Sequence, residues 1–184
     1  MKNGESSYSR FLSGDKNALD ELIRDYKDGL IFYLYSIVGD IHKAEEYAID
    51  TFIKLYTDRP VFRGESAFKT WLYTIGRNIA YDGMRRKPKY AEVPLDDAHD
   101  LSEAASLEKE YIKDEERIML RRTIQKLKPE YSQILYLIYI EGFDHSEAGA
   151  IMKKSGKQVR DLLYRAKGAL KKELEKEGFV YEEL

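Results

Sequence analysis

The sequence predicts an all-α protein built from two small helical domains. Nearly every segment of the 184 residues carries apolar side chains at helical spacing, and no segment alternates convincingly as a strand would. Charged residues make up 35% of the chain and there are only 12 glycines and 4 prolines, which is typical of helical proteins. Residues 89–107 lose the apolar stripe and are rich in acids, so we expect a flexible linker there.

The first half of the chain contains clear signals for helix starts and stops. Asp15 is a good N-cap, and the very apolar stretch 30–38 that follows is expected to be buried. Gly39 breaks this stretch, and Asp40 is expected to cap a helix that runs to about residue 58. A loop follows at residues 62–66, and a further helix is expected from about residue 67 to 86.

The second half predicts a helix-turn-helix at its end. A helix resumes near residue 114, and Pro129 suits the first turn of the next helix, which Gly142 ends. Asp144 with Glu147, and Ser155 with Gln158, are spaced as capping boxes for two more helices joined by a turn at 153–156. Because the last helix is basic on its outer faces, it is typical of a helix that lies in the major groove of DNA.

Charge alternates along the chain in large blocks, although the formal net charge is only −2. Residues 15–58 hold ten acids and five bases, and residues 92–117 hold ten acids and three bases. Residues 63–89 hold seven bases and two acids, and residues 155–172 hold six bases and one acid. Two separated basic blocks predict two contacts with nucleic acid, since each can neutralise phosphates. The acidic first helices would be repelled by DNA and are expected to face a protein.

Several classes of protein are disfavoured. The chain has no cysteine, which excludes disulfides, thiol catalysis and Cys-ligated zinc, and its three histidines are far apart in sequence. No nucleophile or glycine-rich phosphate loop accompanies the adjacent carboxylates, so we expect no catalytic residues, no metal, no cofactor and no enzymatic activity. The N-terminus has no apolar signal segment and no apolar run approaches 18 residues, so a cytoplasmic protein without membrane insertion is expected.

Four stretches together resemble the sigma-70 family of bacterial RNA polymerase sigma factors. They are FLSGDKNALDELIRDY, AEEYAIDTFIKLY, FRGESAFKTWLYTIGRNIAYDGMRRKP and the C-terminal helices, in that order, and the similarity spans about residues 10–174. The chain is most similar to the smallest form of that family, the extracytoplasmic function (ECF) group. The resemblance implies a region 2 helical bundle at residues 8–90, an acidic linker at 91–112 and a region 4 helix-turn-helix at 113–177.

The resemblance implies a transcription initiation factor rather than a catalyst. Such a factor binds core RNA polymerase, directs it to promoter DNA by reading the −10 and −35 elements, and helps to open the duplex. Many members are also held by an anti-sigma factor, although no residue here identifies one. A stand-alone DNA-binding regulator is the alternative, but it leaves the basic block at 63–89 unused.

Site residues follow from the same resemblance. Polymerase docking is expected from Glu46, Asp50, Phe52 and Lys54, where Phe52 equally suits the core. The −10 element is expected to contact Arg63, Ser66, Lys69, Arg77, Asn78 and Arg85, because basic residues can hold the displaced single strand. Trp71 is in register with Leu72 and Ile75, which favours core packing over base stacking.

The recognition helix is expected to read the −35 element. Base edges are expected to contact Lys157, Gln158, Arg160, Asp161 and Tyr164 near its N-terminal end. Arg165, Lys167, Lys171 and Lys172 are expected to contact phosphates, which position a protein without specifying sequence. Ala148-Gly149 and Asp161-Leu162 depart from the residues common in the family, so no promoter sequence is transferred.

Overall fold

The computed structural model describes residues 4–86 and 115–176, which form two helical domains. The N-terminal domain consists of α1 (Gly4–Leu12), α2 (Asn17–Val38), α3 (Ile41–Asp58) and α4 (Phe68–Arg86). The C-terminal domain consists of α5 (Glu115–Gln125), α6 (Pro129–Leu135) with a π-helical turn (Tyr136–Ile140), α7 (His145–Met152) and α8 (Gly156–Lys176). No described residue is in a strand, and the all-α prediction is confirmed. The predicted acidic linker at 91–112 lies outside the described residues.

Local sequence signals set most of the helix ends. Gly39 has a φ of 69° and its N–H donates to the carbonyl of Tyr35, which ends α2 as predicted. The Asp40 carboxylate then accepts from the Lys43 N–H at 2.8 Å and caps α3. The start of α2 differs from the prediction, because Lys16 occupies the N-cap position. Asp15 still contributes by accepting from the N–H of Asn17 at 3.1 Å.

The N-terminal domain is organised around the second half of α2. Every side chain from Leu30 to Ile37 is buried, so this segment is covered on all sides rather than along one stripe. α1, α3 and α4 pack against α2, and α6 of the C-terminal domain packs against it as well. The two domains therefore share a continuous core. No helix among the described residues combines the length and the apolar character needed to span a bilayer.

The helix-turn-helix forms at the predicted residues. Asp144 and Glu147 make a complete capping box at the start of α7. Gly149 of α7 packs closely against the turn and α8, because a Cβ there would lie 2.9 Å from the carbonyl oxygen of Lys154 and 3.3 Å from Cγ2 of Val159. Glycine at this position is therefore explained by packing, whereas Gly168 on α8 faces open space.

This difference predicts opposite effects of two glycine-to-alanine changes. Gly168→Ala is expected to raise the free energy of unfolding by about 1 kcal/mol, because alanine is the better helix former and meets no neighbour. Gly149→Ala gains the same helix propensity, but its Cβ would press on the backbone carbonyl of Lys154. The melting temperature of this variant is therefore expected to fall below that of the wild type. Thermal unfolding of both variants by circular dichroism checks this. A higher melting temperature for Gly149→Ala would contradict the proposed close packing.

Candidate nucleic-acid interface

α8 presents its polar face to solvent and its apolar face to the domain core. Val159, Leu162, Leu163 and Ala166 are buried. The side chains proposed from sequence to read the −35 element are all exposed: Lys157, Gln158, Arg160, Asp161, Tyr164, Arg165 and Lys167. Lys171 and Lys172 are exposed as well, so one open surface carries all of these groups.

Some of these groups already make local contacts. The Gln158 carbonyl oxygen accepts from the N–H of Ser155 at 2.8 Å, which completes the cap of α8 together with the Ser155 hydroxyl. Arg165 donates from Nε to the carbonyl of Asp161 at 3.2 Å. Tyr164 is 81% exposed, which leaves its ring and hydroxyl available to a partner. Gln158 therefore caps the helix at the end that is expected from sequence to meet the bases.

The residues proposed for the −10 element are divided between an open surface and a partly buried region near the domain junction. Arg63 and Ser66 are exposed in the connecting loop, defined here as residues 59–67 between α3 and α4. Arg85 is exposed near the end of α4 and lies 3.5 Å from Asp82. Asn78 is half-buried and lines a groove of about 350 Å³ between α3 and α4.

Lys69, by contrast, lies at the junction of the two domains. Its ammonium nitrogen is 2.8 Å from a carboxylate oxygen of Glu141 and donates to the Glu141 carbonyl, also at 2.8 Å. It also lies 4.7 Å from the centre of the Phe143 ring, a cation–π distance. The hydroxyl of Tyr73 donates to the same Glu141 carboxylate at 2.7 Å. Glu141 thus holds two side chains of α4 to the C-terminal domain.

A π-helical turn of the backbone places Glu141 at the domain junction. The π-helical turn is closed by the Glu141 N–H, which donates to the Tyr136 carbonyl at 3.0 Å. Gly29 of α2 leaves the space for the contact, since a Cβ there would lie 2.5 Å from the Tyr73 hydroxyl oxygen. Tyr73 is fully buried, and burial, followed by the Glu141 carboxylate, raises its pKa well above the usual value. Its hydroxyl is therefore a permanent donor at neutral pH.

Arg77 is also close to the domain junction. Its guanidinium lies 4.3 Å from the centre of the Tyr81 ring, and the Tyr81 hydroxyl is 3.4 Å from the donating amide of Gln133 on α6. Its Nε is buried and has no hydrogen-bond partner among the described residues. Burial raises the pKa of the neighbouring Tyr33 above the usual value, and the Arg77 charge opposes that rise. Arg77 is therefore half-buried against side chains of its own domain.

The outer face of α3 differs from the face expected from sequence. Glu46, Asp50 and Lys54 are exposed as expected, but Phe52 is only 6% exposed and belongs to the core. Exposed apolar side chains lie between the charges instead: Ile49, Ile53 and Tyr56, each about half exposed. The sequence contains a signal for this exposed apolar area, because these three apolar residues fall outside the inner stripe of α3.

Comparison with known proteins identifies the family. The model of sigma-70 region 2 matches residues 22–89, and the model of sigma-70 region 4 matches residues 117–170. The RNA polymerase sigma-H factor of Pseudomonas aeruginosa is 32% identical over 175 residues, covering 90% of this chain and 91% of that protein. The chain belongs to the sigma-70 family. Like other sigma-70 factors, it directs RNA polymerase to promoters, and the expectation from sequence is confirmed.

One further relative and one solved structure are similar to this sigma factor. The ECF RNA polymerase sigma factor SigW of Bacillus subtilis is 28% identical over 170 residues, covering 88% of this chain and 91% of that protein. The structure of CnrH in complex with the cytosolic domain of CnrY has a TM-score of 0.66 at 22% identity, covering 95% of this chain and 98% of that one. That likeness confirms the fold. The region 2 match begins after α1, so α1 lies outside both matched regions.

The Glu141 contact predicts how the two domains of this sigma factor separate. Glu141→Gln keeps the shape but removes the charge facing Lys69, which is expected to weaken the junction by about 1–3 kcal/mol. Gly29→Ala is expected to act in the same direction by crowding Tyr73 and Glu141. Small-angle scattering should then show a larger radius of gyration for both variants. Glu130→Gln is the control, because it removes an ion pair with Lys154 inside the C-terminal domain. Unchanged scattering in both junction variants would contradict this role.

Proposed function

We propose that this sigma factor contacts promoter DNA through two separate surfaces, α8 for the −35 element and the connecting loop with α4 for the −10 element. The observation that carries the proposal is the exposed polar face of α8 on a fully capped helix-turn-helix. Its position leaves the N-terminal end of the helix open to base edges while its apolar side anchors it in the core. The domain boundaries proposed from sequence, 8–90 and 113–177, are retained for this reading.

On α8, chemistry divides the side chains into two roles. Arg160 and Lys157 suit the acceptors of guanine, Gln158 suits adenine, and Asp161 can accept from cytosine. Arg165 and Lys167, together with Lys171 and Lys172, suit phosphates and would fix the register of the helix. The local bond of Gln158 to Ser155 occupies its carbonyl oxygen, so its amide nitrogen is the group left to donate to a base.

On the N-terminal domain, Arg63 and Ser66 are placed for the displaced strand. The loop that carries them is exposed, and single-stranded DNA is held by basic and polar groups along its backbone. Arg85 extends this surface along α4, and Asn78 can reach it from the groove beside α3. Lys69 joins only when the domains separate, because it is paired with Glu141 at the junction, whereas the guanidinium of Arg77 lies over Tyr81 of its own helix.

Docking on core polymerase is assigned to the outer face of α3. Ile49, Ile53 and Tyr56 provide exposed apolar area, and Glu46, Asp50 and Lys54 surround it with charge. An apolar centre with a charged rim is the usual anatomy of a protein interface. The acidic character of the segment 15–58 keeps this face away from DNA.

The remaining expectations are consistent with this role. We propose that the protein is cytoplasmic, that it acts by binding rather than by catalysis, and that an anti-sigma factor is a further partner. The last point is supported by the fold, since CnrH and the sigma factor RpoE of Bartonella quintana were solved in complexes, the latter with the anti-sigma factor NepR. A partner that recognises the closed arrangement would keep Lys69 engaged with Glu141.

Run-off transcription with purified core polymerase tests the function as a whole. Discrete transcripts from promoter fragments are expected only when core and this protein are both present. Aligning the start sites then gives the −35 and −10 sequences. If the protein alone shifts specific duplexes and no transcripts appear, the stand-alone regulator replaces the sigma factor in this role.

Two substitutions on α8 separate base reading from phosphate contact. Arg160→Ala is expected to cost the holoenzyme about 1–3 kcal/mol on its promoter and to relax specificity at one position of the −35 element. Lys172→Ala is expected to weaken binding by a similar factor on all promoters and to reduce the salt slope by about 1. Binding of the holoenzyme to single-base promoter variants, measured at several salt concentrations, distinguishes the two. Uniform weakening by Arg160→Ala would remove it from the set of base-reading residues.

A further inference from the structure

The connecting loop has left-handed backbone at two points. Arg59 begins it with a φ of 45°, in the left-handed region that non-glycine residues avoid, and Gly64 has a φ of 72°. Residues 59–67 lie in neither a helix nor a strand, and Ala67 is tied to α4 by accepting from the N–H of Trp71 at 3.1 Å. A loop of this kind needs contacts from outside to hold one conformation.

α1 supplies a contact at the start of the loop. The hydroxyl of Tyr8 donates to the carbonyl oxygen of Pro60 at 2.7 Å, although the two residues are 52 positions apart. The Tyr8 side chain is only 1% exposed, and burial raises its pKa to about 12, so the hydroxyl keeps its proton at neutral pH. The Arg59 guanidinium also lies 5.6 Å from the centre of the Phe11 ring.

α1 also contacts the residues that follow the loop. The Tyr8 ring centre lies 5.6 Å from that of Phe68 and 5.4 Å from that of Trp71, both in the first turn of α4. Phe62, inside the loop, packs on the same two rings at 5.6 Å and 5.2 Å. Tyr8 therefore contacts Pro60 at the start of the loop and the two rings that follow the loop, on which Phe62 also packs.

α1 is itself fixed independently of the loop. Ser7 donates to a carboxylate oxygen of Glu21 at 2.9 Å, and Arg10 pairs with Glu21 and with Asp15. Gly4 has no room for a Cβ against Phe68 and the Tyr26 hydroxyl, so the helix lies directly on the core. These contacts make α1 a rigid support on α2 rather than a segment carried by the loop.

We propose that α1 is a brace for the connecting loop, meaning that it holds the loop in one conformation. Tyr8 is then a positioning residue for promoter opening. The proposal rests on the function proposed above, in which Arg63 and Ser66 of this loop hold the displaced strand. Preorganised contacts matter most where a base leaves the stack, because the cost of unstacking is offset only if its new partners are already in place. Tyr8 does not touch DNA in this account, and it acts through Pro60.

Tyr8→Phe tests the proposal, since it keeps the buried ring and removes only the hydroxyl. We expect a holoenzyme carrying Tyr8→Phe to form open complexes at an equilibrium level about two- to tenfold lower, the usual net effect of one hydrogen bond. Opening is followed by the fluorescence of an adenine analogue placed in the −10 element. Affinity for core polymerase and for the duplex promoter is expected to stay unchanged, because α3 and α8 are unaltered.

Ser13→Ala is the matched control. It removes a hydroxyl that donates to the Ser9 carbonyl at 3.0 Å, a bond of the same kind beside the same helix but away from the loop. Promoter opening should be unaffected by this change. Gly4→Ala is a second variant that presses on Phe68 from the other end of the loop and is expected to reduce opening as well.

Three outcomes distinguish this inference from the function on which it rests. A loss confined to opening, absent in Ser13→Ala, supports the brace. If promoters open normally with both Tyr8→Phe and Gly4→Ala, the inference is overturned. It is also overturned if thermal stability and core binding fall as much as opening does. In both cases the wild-type protein still initiates transcription. If the wild-type protein gives no core-dependent transcripts at all, it is the proposed function that fails.

Discussion

The arrangement of both domains depends on one segment that is apolar on every side. Residues 30–37 of α2 are all buried, so no single layer of helices can cover them. α3 and α4 cover part of the segment, and α6 of the C-terminal domain covers another part. Arg121 of the C-terminal domain lies 5.6 Å from the centre of the Phe32 ring, which shows how directly that domain closes over α2. Burial of this apolar surface is the main force that draws the two domains together.

The polar contacts at the junction give this apolar closure a defined geometry. Burying a charge is costly unless it is paired, and the Glu141 side chain is only 13% exposed. Lys69 and Tyr73 satisfy it from α4, and Thr70 adds a hydrogen bond to Glu147 at 3.1 Å. These contacts occupy Lys69, one of the cations proposed for the −10 surface. The closed protein therefore has a smaller exposed basic surface than its sequence contains.

Sequence predicted what is encoded locally. Gly39, Asp40, Pro129 and the capping box of α7 act within four residues of their own position, and each ends or begins a helix where expected. The exposed face of α8 followed from helical periodicity in the same way. Phe52 supports the same method, since its periodicity placed it in the core, where it lies, while the resemblance had suggested a docking surface.

Other features depend on contacts between distant residues and had no signal in the sequence. Lys69 and Glu141 are 72 positions apart, and a basic residue beside a basic block gave no sign that its partner is internal. The π-helical turn that places Glu141 was also unexpected, because its apolar residues suit an ordinary α-helix equally well. The bond from Tyr8 to Pro60 depends on how α1 folds back over the loop. Such contacts follow from the packing of whole helices.

Two demands on the domain junction oppose each other. The free protein buries residues 30–37 by closing, whereas Lys69, proposed for the −10 element, is released from Glu141 only if the domains separate. A partner can shift such an equilibrium only by binding the open form more tightly than the closed form. Core polymerase would meet this requirement if it separated the domains and covered the apolar surface of α2 that is exposed when α6 moves away. DNA alone, which offers phosphates but little apolar surface, would not. On this reasoning, closure of the free protein disfavours its binding to DNA without core polymerase. Promoter opening is then favoured in the holoenzyme, where core polymerase has separated the domains.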